Sequence, residues 1–585
     1  MHRPLFPYSP DAVTVMLIIR PKQTFPDYSM RWRALLGILL TSLTVLIGRA
    51  GYLQVLDKQF LKHQGDLRHV GVMPIPAHRG RITDRNGELL AVSTPVKSIW
   101  VSPKEFLSTE IPSDTLKAFA ARLGLKVDEL MRRVGENDSR AFAYLKRKMS
   151  PEQADLALGM GLPGVHAERE YKRYYPTGEV AAHLVGLTNV DGKGQEGMEL
   201  VFDSSLRGVD GARRAVRDGK RRIIEKTEEV RRPVPGQDLA LSIDSRLQYI
   251  AHRELKAAVA HHRARSGTLV MMDPQTGEVM AISNQPAFNP NSRGKISPDV
   301  SRNRAITDLF EPGSSMKPFA VACAIELGLT HPHTMINTQG GIMHVGTNVV
   351  KDVHSYGVMD VSKVIQKSSN VGTSKIALSV PPRKFWAFYH NLGFGQPLET
   401  GYPGEAKGRL SDYHGWSAFD QATLSFGYGV STSALQLARA YTAIANEGVM
   451  PMASLVSKDQ GGEAHRIMSE STATSLAGML EKVVSREGTA IQAAVPGYRV
   501  AGKTGTVKKL GARGYTTSKY NAVFAGFAPA SHPRLVMVVM IDEPSAGEYY
   551  GGAVAAPVFS KVMEESLRVM NIAPDQPEAP MIAAR

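Results

Sequence analysis

The chain has 585 residues, 43% of them hydrophobic, which suffices for two or three domains with sizeable cores. Its single cysteine, Cys323, excludes an internal disulfide, and the absence of C-x-x-C and H-E-x-x-H patterns predicts no metal site and no cofactor. The formal charge of +15 points to an anionic partner without saying which.

In chain order, residues 1–33 are expected to be a cytoplasmic tail carrying Arg20, Lys22, Arg31 and Arg33. Residues 34–48 hold no charge, and apolar character continues past Arg49 to Leu56. That is about the twenty residues a bilayer needs. A cleaved signal peptide is the rival reading, because Gly48-Arg49-Ala50 loosely mimics a small-x-small site. Tyr52, Leu53, Val55 and Leu56 carry the apolar stretch onward and favour an uncleaved anchor over 34–56. The positive-inside rule then places the N-terminus in the cytoplasm and the remainder outside.

Residues 57–243 read as an elongated, mixed α and β pedestal. Gly192-Lys193-Gly194-Gln195-Glu196-Gly197 fits G-x-G-x-x-G, but no βαβ series surrounds it, so a dinucleotide site is rejected. The densest basic stretch runs from Arg213 to Arg232, with Asp218-Gly219 reading as a hairpin turn at its centre. Anionic lipid headgroups or an acidic cell-wall polymer would suit that charge. Nucleic acid does not fit an external domain without interleaved aromatics. Pro233-Val234-Pro235-Gly236 marks a linker.

From Ile243 a helical pattern with Leu247, Ile250, Ala251 and Leu255 opens a second domain, 244–565. Strand-like runs at 268–272 and 278–282 follow, and two more at 521–527 and 534–541 join a third around residues 498–507. Together they predict one antiparallel sheet sandwiched by helices, in an α+β chain. Residues 566–585 form a Pro- and Ala-rich tail that reads as disordered.

Three short motifs stand in this domain: Ser314-Ser315-Met316-Lys317, Ser368-Ser369-Asn370 and Lys503-Thr504-Gly505-Thr506. Each alone is weak. Ser292-Arg293-Gly294-Lys295 also fits S-x-x-K and Ser301-Arg302-Asn303 fits S-x-N, but the former lies in a loop between Pro290 and Pro298. Ser314 differs: Glu311-Pro312-Gly313 breaks the chain, and an apolar run over 319–325 continues as a buried helix with Pro318 in its first turn. Residues three apart share a helix face, so Ser314 and Lys317 are expected side by side, within hydrogen-bond reach. A serine needs an adjacent base, and Lys317 can serve if burial and a second cation, Lys503, lower its pKa. The bland alternative is a Ser N-cap with a solvated lysine. Cys323, on the same run, is expected to be a small buried core residue.

The order S-x-x-K, S-x-N, K-T-G is the layout of serine acyl-transferases that attack a D-alanyl-D-alanine amide or a β-lactam. With these motifs the chain resembles the class B penicillin-binding proteins, and most of all their division-specific type. Further residues carry the resemblance. They are Arg79-Gly80-Arg81 through Asn86-Gly87, Tyr174-Tyr175-Pro176-Thr177-Gly178-Glu179, Glu196-Gly197-Met198-Glu199, Phe426-Gly427-Tyr428-Gly429, Gln436-Leu437-Ala438 and Tyr550-Gly551-Gly552.

The resemblance implies a membrane-anchored, dimerisation-type pedestal below a transpeptidase domain of serine β-lactamase-like fold. It implies peptidoglycan D,D-transpeptidation on stem peptides ending in D-Ala-D-Ala, most of all in septal synthesis, and acylation by β-lactams. Ser314 would be the nucleophile and Lys317 its base, with Ser368 passing the proton to the leaving D-alanine. Asn370 would fix Lys317 and the substrate amide, and the N–H groups of Ser314 and Thr506 would hold the oxyanion. Ser369, Lys503, Thr504, Gly505 and Thr506 would bind the substrate. Implied partners are a membrane-embedded SEDS-type glycosyltransferase, other divisome proteins and membrane lipid, at a bacterial inner membrane. An elongation-type transpeptidase, a β-lactam sensor, a D,D-carboxypeptidase or β-lactamase, and a scaffold are the competing readings.

Overall fold

The computed structural model of the chain describes residues 29–60, 70–138, 142–217, 223–292, 294, 296–458, 463–511 and 514–576. Residues 1–28 of the expected cytoplasmic tail, the Asp218-Gly219 turn, Arg293 and Lys295 of the loop motif, and the last nine residues lie outside these.

Ser29–Gly51 is an α-helix that continues as a π-helical turn over Tyr52–Leu56. An 18-residue window within these 28 residues has a mean hydropathy of 1.8 and buries nothing inside the protein. At 1.5 Å per residue the 28 residues extend about 40 Å, more than a bilayer's apolar core. Thr41 and Thr44 return their hydroxyls to Gly37 O and Leu40 O, which removes unsatisfied polar groups from this surface. In the unit made of the chain up to Met73 and Arg213–Val230, the strand Val70–Ile75 pairs with Gly211–Arg217, which pairs with Ile223–Arg231.

The second unit contains the remainder. The long strand Leu89–Val101 pairs antiparallel with Val165–Tyr174 and with Ala143–Met149. Inward residues of this sheet, Ile99, Val101 and Leu145, meet Phe106, Phe119 and Leu130 from short helices in a core of their own. Three stretches distant in sequence meet on one carboxylate. Glu199, fully buried, accepts from Arg79 Nε at 2.7 Å and from Arg173 Nε at 2.6 Å. Two guanidinium partners offset the desolvation that would otherwise expel a charge from this site. Two glycines of the G-x-G-x-x-G stretch serve packing: a Cβ on Gly194 would stand 2.0 Å from Glu199 O, and one on Gly197 2.6 Å from Gly186 N.

Asp84 ties the pedestal to the next region. Its carboxylate accepts from Asn86 N and Glu88 N and also from Ser245 N, at the start of the helix Ser245–His261. Ile82, Leu90 and Leu184 join Leu247, Leu269 and Val538 in one continuous core, so this part of the pedestal and the second domain share their apolar interior.

The second domain is built on a five-stranded antiparallel sheet in the order Val279–Gln285, Ser266–Met272, Leu535–Asp542, Gly514–Ala528, Ala501–Gly511. Ser266–Met272, Val279–Gln285 and Leu535–Asp542 are buried along their whole length, which explains their near-continuous apolar sequences. Ser245–His261 and Ala556–Val569 pack together on the sheet, and Ala434–Ala445 packs on it separately from them. Every residue of Ala434–Ala445 is buried, and Ser433 with Gln436 closes a capping box at its start. The sandwich of helices around one sheet is thus as expected. Ala501–Gly511, which carries K-T-G, is an edge strand. Cys323 is a buried core residue, 2% exposed, with its thiol pushed up to about 12 by burial.

Candidate active site

Pro312 ends an extended segment, and the chain turns through a 3₁₀ helix, Gly313–Met316, before the α-helix Lys317–Glu326 begins. The sequence suggested that Ser314 opens an α-helix. Instead it lies in this tighter turn, where residues three apart eclipse, so Ser314 and Lys317 are stacked by the turn itself. Gly313 has φ +58° and a Cβ there would lie 2.2 Å from Val507 Cγ2, so only glycine fits. Ser315 is fully buried and donates to Pro312 O at 2.7 Å, while Tyr441 OH donates to Ser315 O at 2.8 Å. These bonds fix the turn that presents Ser314.

Lys317 is fully buried. Its Nζ donates to Ser368 O at 2.5 Å, Asn370 Oδ1 at 2.8 Å and Ser368 Oγ at 3.1 Å. Those three acceptors satisfy all three protons of an ammonium group. The expected Ser314–Lys317 hydrogen bond is not formed among the described residues, and Ser314 Oγ is left unbonded. A lone pair for Ser314 therefore requires that Lys317 give up a proton. Burial first, and then the charge of Lys503, hold its pKa well below the usual lysine range, with Asp352 opposing.

Lys503 is also fully buried, and burial lowers its pKa to about 7. The gap from an ordinary lysine corresponds to roughly 5 kcal/mol of lost preference for the charged form. Its Nζ donates to Ser368 Oγ at 3.0 Å and lies 3.3 Å from both Thr504 O and Thr504 Oγ1. Ser368 Oγ thus accepts from both lysines. With both lone pairs engaged, its own proton is free to point elsewhere. Ser368 has φ +58° and caps the helix Val361–Lys367, immediately before the helix Asn370–Leu378. That left-handed conformation costs a serine about 1–2 kcal/mol, strain tolerated where it aims a functional hydroxyl.

One expected side-chain contact with substrate is corrected. Ser369 is fully buried: its hydroxyl donates to Asp352 Oδ2 at 2.6 Å and accepts from Gly372 N at 2.9 Å. It caps the next helix and has no surface for a ligand. Gly505 admits the protein's own backbone, since a Cβ there would lie 2.6 Å from Pro312 O. Thr504 and Thr506 keep their places on the edge strand, with Thr504 Oγ1 3.0 Å from Thr489 Oγ1 and Thr506 Oγ1 accepting from Gly551 N at 2.9 Å.

Sequence reasoning missed Asp352. Its carboxylate receives Ser369 Oγ, Asn370 N at 2.5 Å and Val371 N at 2.9 Å, holding the whole S-x-N corner. Nothing in its neighbourhood of the sequence singles it out, because it acts through a long-range contact. Changing Asp352→Asn removes the charge and replaces one accepting oxygen by a donor, so either Ser369 Oγ or the Asn370 and Val371 N–H groups lose their acceptor. The loss of charge-assisted bonds of about 1.5–3 kcal/mol each is expected to slow acylation by a β-lactam about 10- to 100-fold. Stopped-flow acylation kinetics with a chromogenic β-lactam would measure it.

The loop 426–429 presses on the Ser314 turn. Gly313 N donates to Gly427 O, and Gly429 N donates to Glu311 Oε1 at 2.8 Å. Gly427 has φ +81° and its Cβ would stand 2.2 Å from Gly313 O. A Gly427→Ala protein is expected to lose about 1–3 kcal/mol of stability through backbone strain and to acylate more slowly as the turn shifts. Scanning fluorimetry and the same kinetics would show both effects.

The three motifs therefore converge: two buried lysines, a serine between them, and an unbonded serine on a fixed turn. Residues 267–564 match the family model described as the penicillin binding protein transpeptidase domain, and residues 74–241 match that of the penicillin-binding protein dimerisation domain. The chain is 43% identical over 549 residues to the peptidoglycan D,D-transpeptidase FtsI of Escherichia coli, covering 94% of this chain and 93% of that one. It is 41% identical over 564 residues to the probable peptidoglycan D,D-transpeptidase PenA of Neisseria meningitidis, covering 95% and 96%. Among solved structures, the transpeptidase domain of Burkholderia pseudomallei penicillin-binding protein 3 is similar, with a TM-score of 0.54 and 44% identity over 58% of this chain and 98% of that one. A peptidoglycan synthetase of Bifidobacterium adolescentis matches 87% of this chain and 98% of its own, with a TM-score of 0.69 and 25% identity.

Proposed function

The chain belongs to the class B penicillin-binding proteins, the serine peptidoglycan D,D-transpeptidases, and from that premise we propose how its own residues divide the reaction. It takes peptidoglycan stem peptides as substrate and β-lactams as inhibitors. Ser314 Oγ attacks the carbonyl carbon of the penultimate D-alanine while its proton passes to neutral Lys317 Nζ. The N–H groups of Ser314 and Thr506 receive the oxyanion. As the carbon–nitrogen bond breaks, Ser368 hands its proton to the departing D-alanine amine and is reprotonated from the lysines on either side. Asn370 keeps Lys317 in register, and Lys503 with Thr504 receives the substrate carboxylate. The edge strand Ala501–Gly511 offers unpaired backbone groups along which an extended stem peptide can lie. An amine of a neighbouring stem then attacks the acyl-enzyme, and its proton returns through Lys317. The observation that carries this reading is the placement of Ser368 Oγ within 3.1 Å of Lys317 Nζ and 3.0 Å of Lys503 Nζ.

The protein is membrane-anchored through the helix that starts at Ser29, with its catalytic portion outside. We place that membrane as the bacterial inner membrane, with the N-terminus cytoplasmic, because Arg31 and Arg33 precede the uncharged span. The similarity to FtsI supports a septal site of action. The family resemblance supports a SEDS-type glycosyltransferase, divisome proteins and lipid as partners.

Purified full-length protein given a thioester acyl donor, with and without a D-amino acid acceptor, tests the reaction. Acyl transfer to the amine is expected to exceed release by water, and release by water alone would instead establish a hydrolase. A fluorescent fusion in dividing cells is expected at midcell; signal confined to the lateral wall would sink the septal assignment.

A further inference from the structure

A cavity of about 440 Å³ is lined by none of the residues of the three motifs. Its walls are the segment 390–399, the helix Ala434–Ala445 and the hairpin formed by Val449–Pro451 and Ala464–Arg466. That volume falls in the range of sites that take metabolite-sized ligands.

Arg439 decides its chemistry. It projects from the wholly buried helix Ala434–Ala445 and is only 9% exposed. Its Nε donates to Pro451 O at 2.9 Å. Its two Nη groups meet no acceptor among the described residues. Nη1 is so close to the chain at Gly393, φ +90°, that a Cβ there would stand 3.2 Å from it. A buried guanidinium without a carboxylate partner is destabilising, and an apolar residue in this alanine-rich helix would avoid that. Glu399 lines the same cavity, yet no ion pair between the two forms within 4.0 Å among the described residues. Its backbone is committed elsewhere: Leu398 N and Glu399 N donate to Glu405 Oε1, and Thr400 N to Oε2, which fixes this loop around Glu405. Arg466 adds a second cation to the wall, and Met450, Met452 and Leu398 supply an apolar side.

We propose that this cavity is a binding site for a small organic oxyanion, a carboxylate or phosphate held in bidentate fashion by Arg439, with its apolar part against Met450 and Met452. A planar guanidinium with its outer edge free is the group best matched to either oxyanion.

The test uses full-length protein in detergent, acylated beforehand with a β-lactam so that Lys503 cannot take the probe. Thermal unfolding is followed against propionate and against glycerol phosphate, at ionic strength fixed with chloride. A saturable rise in Tm with at least one probe is expected, and the probe that saturates at lower concentration tells carboxylate from phosphate. Glu399→Gln, an exposed change, is expected to tighten apparent binding about 3-fold by removing a like charge. Arg439→Lys is expected to weaken it about 10-fold by losing the fork. Unfolding temperatures that follow ionic strength alone, or equal affinities in wild type and Glu399→Gln, overturn the proposal. Should Arg439→Lys fail to fold, the Glu399→Gln comparison decides by itself.

Discussion

Changing Ser314 to alanine is expected to abolish covalent labelling by a fluorescent β-lactam, a fall of at least about 10⁴-fold in acylation rate. The expectation rests on geometry. Ser314 is the one motif serine whose hydroxyl has no hydrogen bond among the described residues, whereas Ser315 Oγ is spent on Pro312 O and Ser369 Oγ on Asp352. Ser368 Oγ is held between two lysines and faces away from a nucleophile's task. Because the Ser314 side chain bonds nothing, its loss should change stability by no more than about 0.5 kcal/mol. An alanine protein with an unchanged Tm that still carries label after denaturing electrophoresis would remove Ser314 from the role of acyl carrier.

Changing Lys317 to methionine is expected to reduce acylation about 10³-fold, in the range for loss of a positioned general base. Methionine preserves the length of the side chain but neither accepts nor delivers a proton. The pH profile gives a sharper readout. In wild type, acylation should fall at acid pH as Lys317 takes up a proton, because an ammonium with three acceptors has no lone pair for Ser314. It should fall on the alkaline side as Lys503, whose pKa in the free protein is about 7, loses the charge that receives a carboxylate. A bound carboxylate moves that second limb upward, since it favours the charged lysine. Lys317→Met is expected to lose the acid limb and keep the alkaline one. A methionine protein with an intact acid limb would assign the proton transfer to another group.

Much of this site was legible in the chain because its parts are local. The S-x-x-K spacing works through a single turn, and the chain breaker Pro312-Gly313 announced that turn. The strand runs at 268–272, 521–527 and 534–541 announced the sheet through apolar content alone. What escaped was what long-range contact decides. Asp352 has no motif; it matters because the hairpin formed by Ile342–Val345 and Asn348–Lys351 delivers it to the start of the helix Asn370–Leu378, against Ser369 and Asn370. Ser369 looked like a ligand-facing residue because its neighbours on both sides act, but a helix begins there and takes its hydroxyl as a cap. Gly505 is a glycine because Pro312 O, nearly 200 positions away, leaves no space for a Cβ. The 3₁₀ form of the Ser314 turn likewise follows from Gly313 wedged between Val507 and Gly427, residues nearly 200 and over 100 positions away.

The seclusion of Cys323 has a practical outcome. Cys323 is 2% exposed and burial pushes its thiol up to about 12, so a thiol-directed dye at neutral pH meets no reactive partner there in the native molecule. One engineered surface cysteine can therefore report on the purified protein without background from Cys323.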